Sequence, residues 1–162
     1  MSKIRAIRSG GQSGVDRAAL DTAKEMEFEI CGWCPKGGWA EDYVDPPGIL
    51  ALYPELQETP SERVEQRTVW NVRDSDATLI ISPAKSNHSD GTELTETAAK
   101  VFKKPHLKIR GSESADDVVR WLMALGDNLI LNVGGPRESE CEGAYKKTSE
   151  ILRFVFEAIN KK

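Results

Sequence analysis

The chain has 162 residues, 39% of them hydrophobic and 30% charged, and carries a formal net charge of −4 at pH 7. This length and composition predict one globular domain over residues 1–162. The net charge disfavours a general nucleic-acid binder, which would present a basic face, and no apolar run reaches the roughly 18 residues of a membrane span. The chain starts without the apolar core of a signal peptide and has an odd number of cysteines, three, so we expect a cytoplasmic protein.

Short apolar segments alternate with segments of helical periodicity, which predicts an α/β fold. The predicted strands are residues 4–8, 29–32, 77–82, 106–110 and 128–133. The predicted helices are residues 15–26, 61–73, 92–103, 114–125 and 142–160. Because helices separate the strands, the strands should pair in parallel through right-handed crossovers. We therefore expect a Rossmann-like three-layer sandwich with a mostly parallel sheet of about five or more strands, forming a single ligand-binding domain.

The first strand ends in a glycine-rich turn, residues 9–14 (S-G-G-Q-S-G), that leads into the first helix. Glycines let the backbone approach a ligand closely, and the N–H groups at a helix N-terminus favour an anion such as phosphate. A tight turn that binds nothing is the alternative. Ser13 is placed to cap the helix, with Asp16 at the reciprocal third position. Asp16 would compete with a phosphate, so it could instead tie down loop N–H groups, pair with Arg17, or accept a ligand's hydroxyl or amine.

Two further polar turns that contain glycine follow the third and fifth strands, at residues 83–93 and 132–139. The carboxyl ends of parallel strands meet at one edge, where ligands bind in open α/β sheets, so the three turns predict a site there. His88 lies in the second turn and could face the ligand, whereas His106 starts a strand and is expected to be structural. The glycines lack the G-x-G-x-x-G spacing and no G-K-[ST] follows them, so neither NAD nor a P-loop ATP is expected.

Residues 32–60 interrupt the alternation of strands and helices. A segment of this length is usually functional or disordered, and its two tryptophans and two tyrosines disfavour disorder. We expect an ordered flap beside the site; the alternative is a packed excursion that covers a sheet edge. Cys31 and Cys34 form a C-x-x-C without a following helix, which disfavours redox or metal chemistry. We expect a buried Cys31, a loop Cys34 and no metal site.

With these turns placed, the chain resembles the putative molybdenum cofactor carrier family, part of a Rossmann-like group that includes the lysine-decarboxylase-like phosphoribohydrolases. The resemblance spans almost the whole chain, and its main stretches are residues 9–21, 32–37, 74–80, 91–92 and 135–139. It implies a pocket for a phosphorylated pterin or nucleotide-like ligand, with the molybdenum cofactor (molybdopterin) as the ligand and molybdoenzymes as partners. It also implies a homo-oligomer, a dimer or tetramer, and the surplus apolar surface of the last helix supports this.

The turns and the resemblance together define a predicted binding set. Phosphate would lie on the first turn with the second turn opposite, and three cationic side chains would add contacts. The set is Gly10, Gly11, Gln12, Ser13, Gly14, Lys36, Arg67, Gly91, Thr92, Glu93, Gly135 and Arg137. We expect a small-molecule binding protein rather than an enzyme and assign no catalytic residue. The alternative is a hydrolase of nucleotide N-glycosidic bonds with Glu93 as acid–base, although the chain lacks the P-G-G that those hydrolases carry before Gly91.

Overall fold

The computed structural model of the chain describes residues 2–83 and 90–160. Within these residues its strands, numbered in chain order, are β1 Ile4–Arg8, β2 Glu29–Cys31, β3 Trp33–Cys34, β4 Gln57–Glu58, β5 Ala77–Ile81, β6 His106–Ile109 and β7 Leu129–Gly134. The main sheet of the described residues has five parallel strands in the order β2-β1-β7-β5-β6. The predicted parallel sheet is therefore confirmed, and the last strand of the chain lies at its centre.

The helices flank this sheet in two layers. In the described residues they are α1 Val15–Glu25, α2 Val64–Arg73, α3 Asp90–Val101, α4 Ala115–Ala124 and α5 Ala144–Asn160, with short 3-10 turns at Gly48–Ala51 and Ser112–Ser114. Helix α5 packs against α1 and α4, and α2 packs against α3. This arrangement confirms the predicted Rossmann-like three-layer sandwich. Helix α2 begins three residues later than predicted because Ser61 and Gln66 side chains form a turn ahead of it.

The core lies between the sheet and the α1, α4 and α5 layer. Strand β5 is buried over its whole length, and Ile7, Leu79 and Leu131 of neighbouring strands are fully buried. From the helix side, α5 contributes Leu152 and Phe156, which are also fully buried. Burying a side chain of this size stabilises a fold by about 1.5–3 kcal/mol, so these contacts hold the strand ends that carry the site.

The segment from residue 32 to residue 60 is ordered. It contains β3 and β4, which pair in parallel, and it places Ile49 and Leu56 in the core. The hydroxyl of Tyr53 donates to Asp21 of α1. The segment therefore packs against α1 and the first turn. Sequence periodicity missed β3 and β4 because strands of two residues are too short to show alternation.

Helix α1 begins without a side-chain cap. Its N-cap residue is Gly14, and no side-chain cap hydrogen bond forms there among the described residues. The hydroxyl of Ser13 instead donates to the Glu41 carboxylate and accepts the N–H of Glu138 at 3.1 Å. The predicted cap by Ser13 is therefore wrong, because tertiary contacts between loops use its hydroxyl.

The two cysteines of the C-x-x-C are free thiols in a poorly reactive setting. Cys34 is fully buried in β3, whereas Cys31 is half-buried at the end of β2, so the expectation of a buried Cys31 and a loop Cys34 is wrong. Burial raises the pKa of the Cys34 thiol to about 11 and also raises the pKa of Cys31. Both thiols are therefore neutral near pH 7, which disfavours a nucleophilic role.

Candidate functional site

A cavity of about 260 Å³ opens at the carboxyl edge of the main sheet. The turn after β1, the turn after β7, helix α2 and the start of α3 form its walls. The residues of this wall are Gly10, Gln12, Asp16, Val64, Glu65, Arg67, Thr68, Asn71, Gly91, Thr95, Asn132, Val133, Gly134, Gly135, Arg137 and Glu140. The cavity lies where ligands bind in open α/β sheets, and two of the predicted turns, with the described start of α3, meet there. His88 lies within residues 84–89, so its predicted role falls outside the described residues.

Arg67 reaches the cavity from α2 and is buried, with 7% of its surface exposed. Its Nη1 donates to the carbonyl oxygen of Gly10 at 2.9 Å. Among the described residues this is its only hydrogen bond, and it forms no ion pair there. Burial lowers the pKa of Arg67, while the Asp16 charge raises it. Arginine nevertheless keeps its charge in proteins, so the guanidinium is a buried cation with donors left for a ligand.

Asp16 lies in the first turn of α1 and is buried, with 9% of its surface exposed. Burial raises the pKa of Asp16 to about 6, against the lowering effects of Arg67, of the backbone of Gln12 and Gly135, and of Arg17. The carboxylate lines the cavity beside the backbone of these two loop residues.

Arg17 takes no part in the cavity. Its guanidinium forms a bidentate pair with Asp42, with both nitrogen–oxygen distances at 2.9 Å. Its Nε donates to the carbonyl oxygen of Gly11 at 3.1 Å. Arg17 thus fixes the first turn to the 32–60 segment, and the sequence alternative of an Asp16–Arg17 pair is wrong.

Arg137 lines the cavity from the turn after β7, and 41% of its side chain is exposed. Its Nε lies 3.5 Å from Oε1 of Glu41 and 3.8 Å from Oε1 of Glu140. This nitrogen has no hydrogen-bond partner among the described residues. The guanidinium therefore sits at the mouth of the cavity, attracted to two carboxylates without being locked to either.

The predicted glycines divide into two groups. Gly10 and Gly135 belong to the cavity wall, and a Cβ at Gly135 would come within 2.1 Å of the Ile81 carbonyl oxygen. Gly11 and Gly14 have φ angles of 76° and 79° and do not belong to the cavity wall. A Cβ at Gly11 would approach Ile49 Cδ1 to 2.3 Å, and one at Gly14 would meet the backbone of residues 136–138 at 2.6–2.8 Å. Gly11 and Gly14 are thus required by the packing of the turn.

Of the other predicted residues near the first two turns, two line the cavity. Gln12 does so, and its Oε1 accepts the N–H groups of Ser13 and Glu41 at 3.1 and 2.8 Å. Gly91 also lines it, and a Cβ there would meet nothing within 4 Å. Thr92 is buried without belonging to the wall. Glu93 is exposed on α3 and likewise lies outside the wall.

Lys36 lies at a second, neighbouring cavity of about 480 Å³. Trp39 and Arg63 also line this cavity, which shares Val64 and Glu65 with the wall of the first. The structure therefore places Lys36 beside the main cavity rather than inside it, where it can contact only a ligand that extends outward.

Two buried asparagines complete the polar wall and were not in the predicted set. Asn71 of α2 accepts the N–H of Trp33 at 2.8 Å and donates to its carbonyl oxygen at 3.0 Å. Asn132 of β7 donates to the hydroxyl of Thr78 at 3.3 Å. A polar residue within the apolar β7 segment was the sequence signal for Asn132, whereas Asn71 gave none, since asparagine is common on the exposed faces of helices.

The described residues contain no group of three or more His, Cys, Asp or Glu side chains placed to hold a metal ion. None of the helices in the described part of the chain is long and apolar enough to cross a membrane.

The fold and the polar cavity define the class: this is a Rossmann-like α/β protein with a candidate site at the carboxyl edge of its sheet. The chain belongs to the circularly permutated YpsA SLOG family, whose model matches residues 7–156. The match covers the last two residues of β1, strands β2 to β7, and the last helix up to Phe156. No curated protein matches the chain.

One solved structure is similar over almost its entire length. It is the crystal structure of a protein from Syntrophus aciditrophicus SB that is named "Putative molybdenum carrier protein". The two chains are 36% identical, the match covers 95% of this chain and 96% of that one, and the TM-score is 0.84. The resemblance inferred from the sequence motifs is thereby confirmed.

Proposed function

We propose that this protein binds molybdopterin, the phosphorylated pterin of the molybdenum cofactor, in the cavity and carries it. The observation that carries the proposal is the buried guanidinium of Arg67, which opens into the cavity with donors to spare. A buried cation of this kind suits an anionic or strongly accepting ligand, because charge-assisted hydrogen bonds are the strong ones. The name of the solved relative, a molybdenum carrier, supports a cargo that contains molybdenum.

The phosphate of such a ligand is best accommodated near Arg137. In the first turn, the N–H groups of Gly11, Ser13 and Val15 already donate to protein oxygen atoms at 3.1–3.3 Å. Arg137, in contrast, lies at the mouth with 41% of its side chain exposed, and its Nε is no closer than 3.5 Å to Oε1 of Glu41. Since forked guanidinium donors match phosphate oxygens, Arg137 is the phosphate contact in this proposal.

The cavity of about 260 Å³ lies just below the usual range for ligand sites, roughly 300–1,000 Å³. In this proposal the cavity holds the pterin ring, and the rest of the ligand extends toward the second cavity, which shares Val64 and Glu65 with it. In that arrangement Lys36 supplies an outer cationic contact and Trp39 an apolar surface. A carrier loaded in this way would deliver its cargo to molybdoenzymes in the cytoplasm, and the free, neutral thiols support a reducing compartment.

Titration calorimetry with a pterin monophosphate tests the proposal. We expect Arg137→Ala to bind about tenfold more weakly than the wild type because it loses a charge-assisted contact. Arg153→Ala is the matched control, since its side chain is 48% exposed against 41% for Arg137 and it pairs with Glu25 on α1. The control should bind like the wild type. Undetectable binding, or equal affinity in both variants, would contradict the proposal.

The hydrolase alternative makes a different prediction. Its candidate acid–base, Glu93, is exposed and lies outside the cavity wall, which favours the carrier. A hydrolase would release ribose 5-phosphate from nucleoside monophosphates, and Glu93→Gln would abolish the release. We expect no release from either the wild type or the variant.

A further inference from the structure

Two buried side chains of opposite charge converge on the cavity without pairing. A Cβ built on Gly10 would lie 3.0 Å from Nη1 of Arg67 and 3.1 Å from Oδ2 of Asp16. A Cβ on Gly134, across the cavity end of β7, would lie 3.7 Å from Oδ1 of Asp16. Glycine at both positions therefore leaves the carboxylate uncovered. Arg67 and Asp16 form no ion pair with each other, so a donor and an acceptor face the same space side by side.

We propose that Asp16 and Arg67 together read the 2-amino-4-oxopyrimidine edge that pterins and guanine share. This inference rests on the proposed function and adds which end of the ligand enters the cavity. The ring carbonyl of that edge accepts from the Arg67 guanidinium. The adjacent ring N–H and amino group donate to the Asp16 carboxylate.

The acceptor capacity of Asp16 matches this edge. A carboxylate has two oxygen atoms that accept hydrogen bonds, and the heterocycle edge presents two donors in line. Oδ2 lies beside Gly10 and Oδ1 beside Gly134, where no side chain covers them. Asp16 is also buried, with 9% of its surface exposed, so little ordering of the carboxylate is left for binding.

A phosphate in this position is disfavoured by the same geometry. It would lie against a buried carboxylate, and like charges repel strongly where water is excluded. The anionic end of the ligand therefore points toward Arg137 at the mouth, and the heterocycle toward Asp16. The described cavity wall also contains the carboxylates of Glu65 and Glu140, so its charge near the mouth is mixed. Arg67 is the buried cation of the described wall.

Two pairs of compounds that differ at the 2-position test the inference by titration calorimetry. Pterin is compared with lumazine, in which an oxo group replaces the amino group, and guanosine monophosphate with inosine monophosphate, which lacks the amino group. In at least one pair, the wild type should bind the compound that has the 2-amino group at least about tenfold more tightly than the compound that lacks it. This is the difference expected when a charged acceptor gains a hydrogen-bond donor. Asp16→Asn should reduce that preference to about threefold or less.

Asp116→Asn, an identical change at an exposed position of α4, is the matched control and should keep the preference.

Discrimination in the pterin pair alone assigns the site to pterins, and discrimination in the guanine pair alone assigns it to guanine nucleotides; both support the edge recognition. Equal binding within both pairs, an unchanged preference in Asp16→Asn, or no binding of any probe up to about 1 mM would overturn it. The wild-type comparison does not depend on the folding of any variant. Equal binding within both pairs, combined with an effect of Arg137→Ala on a pterin monophosphate, would overturn this inference while leaving the proposed function standing.

Discussion

Asp16 lies in an environment that a carboxylate disfavours, because burial raises its pKa. An unfolded chain releases its proton near pH 3.8, whereas the buried carboxyl has a pKa of about 6. Between these values the folded protein holds a proton that the unfolded chain has lost. The free energy of unfolding therefore falls as pH rises through this interval and remains reduced above it. A buried carboxylate kept at such a cost is more typical of a functional site than of a structural one.

Asp16→Asn should therefore stabilise the ligand-free protein at pH 7. The shift of about two units corresponds to roughly 3 kcal/mol at most, and we expect a gain of about 1–3 kcal/mol because the amide matches the loop N–H groups less well. At pH 4 the gain should nearly vanish, since Asp16 is then largely protonated. Urea unfolding at both pH values measures it, with Asp116→Asn as the control. A lower free energy of unfolding for Asp16→Asn at pH 7 would show instead that the carboxylate stabilises the fold.

The two adjacent glycines of the first turn should respond differently to alanine. Gly10→Ala introduces contacts of 3.0–3.1 Å with Arg67 and Asp16, so a pterin monophosphate should bind about tenfold more weakly with little change in stability. Gly11→Ala places a Cβ 2.3 Å from a core atom at a φ of 76° and should lower the free energy of unfolding by about 1–3 kcal/mol. Gly126→Ala, which meets nothing within 4 Å, is the control for both. Calorimetry measures the effect on ligand affinity, and urea unfolding measures the effect on stability. Equal changes in both quantities for the two variants would contradict the assignment of Gly10 to the site and of Gly11 to packing.

At the residue scale, the sequence predicted a ligand-binding set, and Gly10, Gln12, Gly135, Arg67 and Arg137 of that set line the cavity. Their contact with a ligand stays a prediction. The sequence could not decide among the roles of Asp16, because they depend on the turn after β7, more than 100 residues away in the chain. The same distance explains Ser13, whose cap was expected from a local motif while its actual partners are Glu41 and Glu138.

At the element scale, Glu41 joins three separate parts of the chain around the site. It accepts hydrogen bonds from Ser13 in the first turn and from the Oγ and N–H of Ser139, at 2.5 and 3.2 Å, in the turn after β7. Burial opposes its ionisation, but these hydrogen bonds and Arg137 lower the pKa of Glu41 on balance. The 32–60 segment thus acts as a brace for the two turns, and none of its described residues lines the main cavity.

Glu41→Gln should weaken this brace. We expect the free energy of unfolding at pH 7 to fall by about 1–2 kcal/mol, because one charged acceptor of several hydrogen bonds is lost and the side chain is 21% exposed. The pKa of Glu41 is lowered in the folded state, so its contribution is present above about pH 4.5 and is lost as the pH falls through the folded value. Urea unfolding at pH 7 and pH 3.5 measures this, with exposed Glu29→Gln as the control. Equal stability of the two variants at pH 7 would rule out the brace.

Elements with several turns or alternations were predictable, and short ones were not. The five strands of the main sheet and all five described helices fall within three residues of their predicted bounds. Strands β3 and β4 depend on each other and on the amide of Asn71, which bonds both backbone groups of Trp33. Such pairing is a tertiary property, so no pattern within a single stretch of sequence reports it.

At the scale of the whole molecule, exposed apolar side chains predict self-association. Phe154 of α5 is 48% exposed, while its neighbours Val155 and Phe156 are fully buried. Val101 at the end of α3 is 69% exposed. The surplus apolar surface expected on the last helix is thus present, and a two-fold dimer is the commonest way to cover such a surface.

We therefore expect light scattering at micromolar concentration to give the mass of a dimer or of a dimer of dimers. Phe154→Glu should shift the mass toward the monomer if α5 lies in the interface, because a buried unpaired charge is strongly unfavourable. Arg153→Ala, one residue away and half-exposed, should not. A mass of 17.9 kDa for the wild type throughout the concentration range would exclude self-association.

The proposed function requires that the cavity holds a phosphorylated pterin. Native mass spectrometry tests this on protein isolated, without added ligand, from a host that makes the molybdenum cofactor. We predict a bound mass that corresponds to molybdopterin or its molybdenum form, retained by Arg153→Ala and lost from Arg67→Met, in which the buried guanidinium is absent. A bound species without a pterin ring, or equal retention of the pterin by Arg67→Met, would contradict the claim.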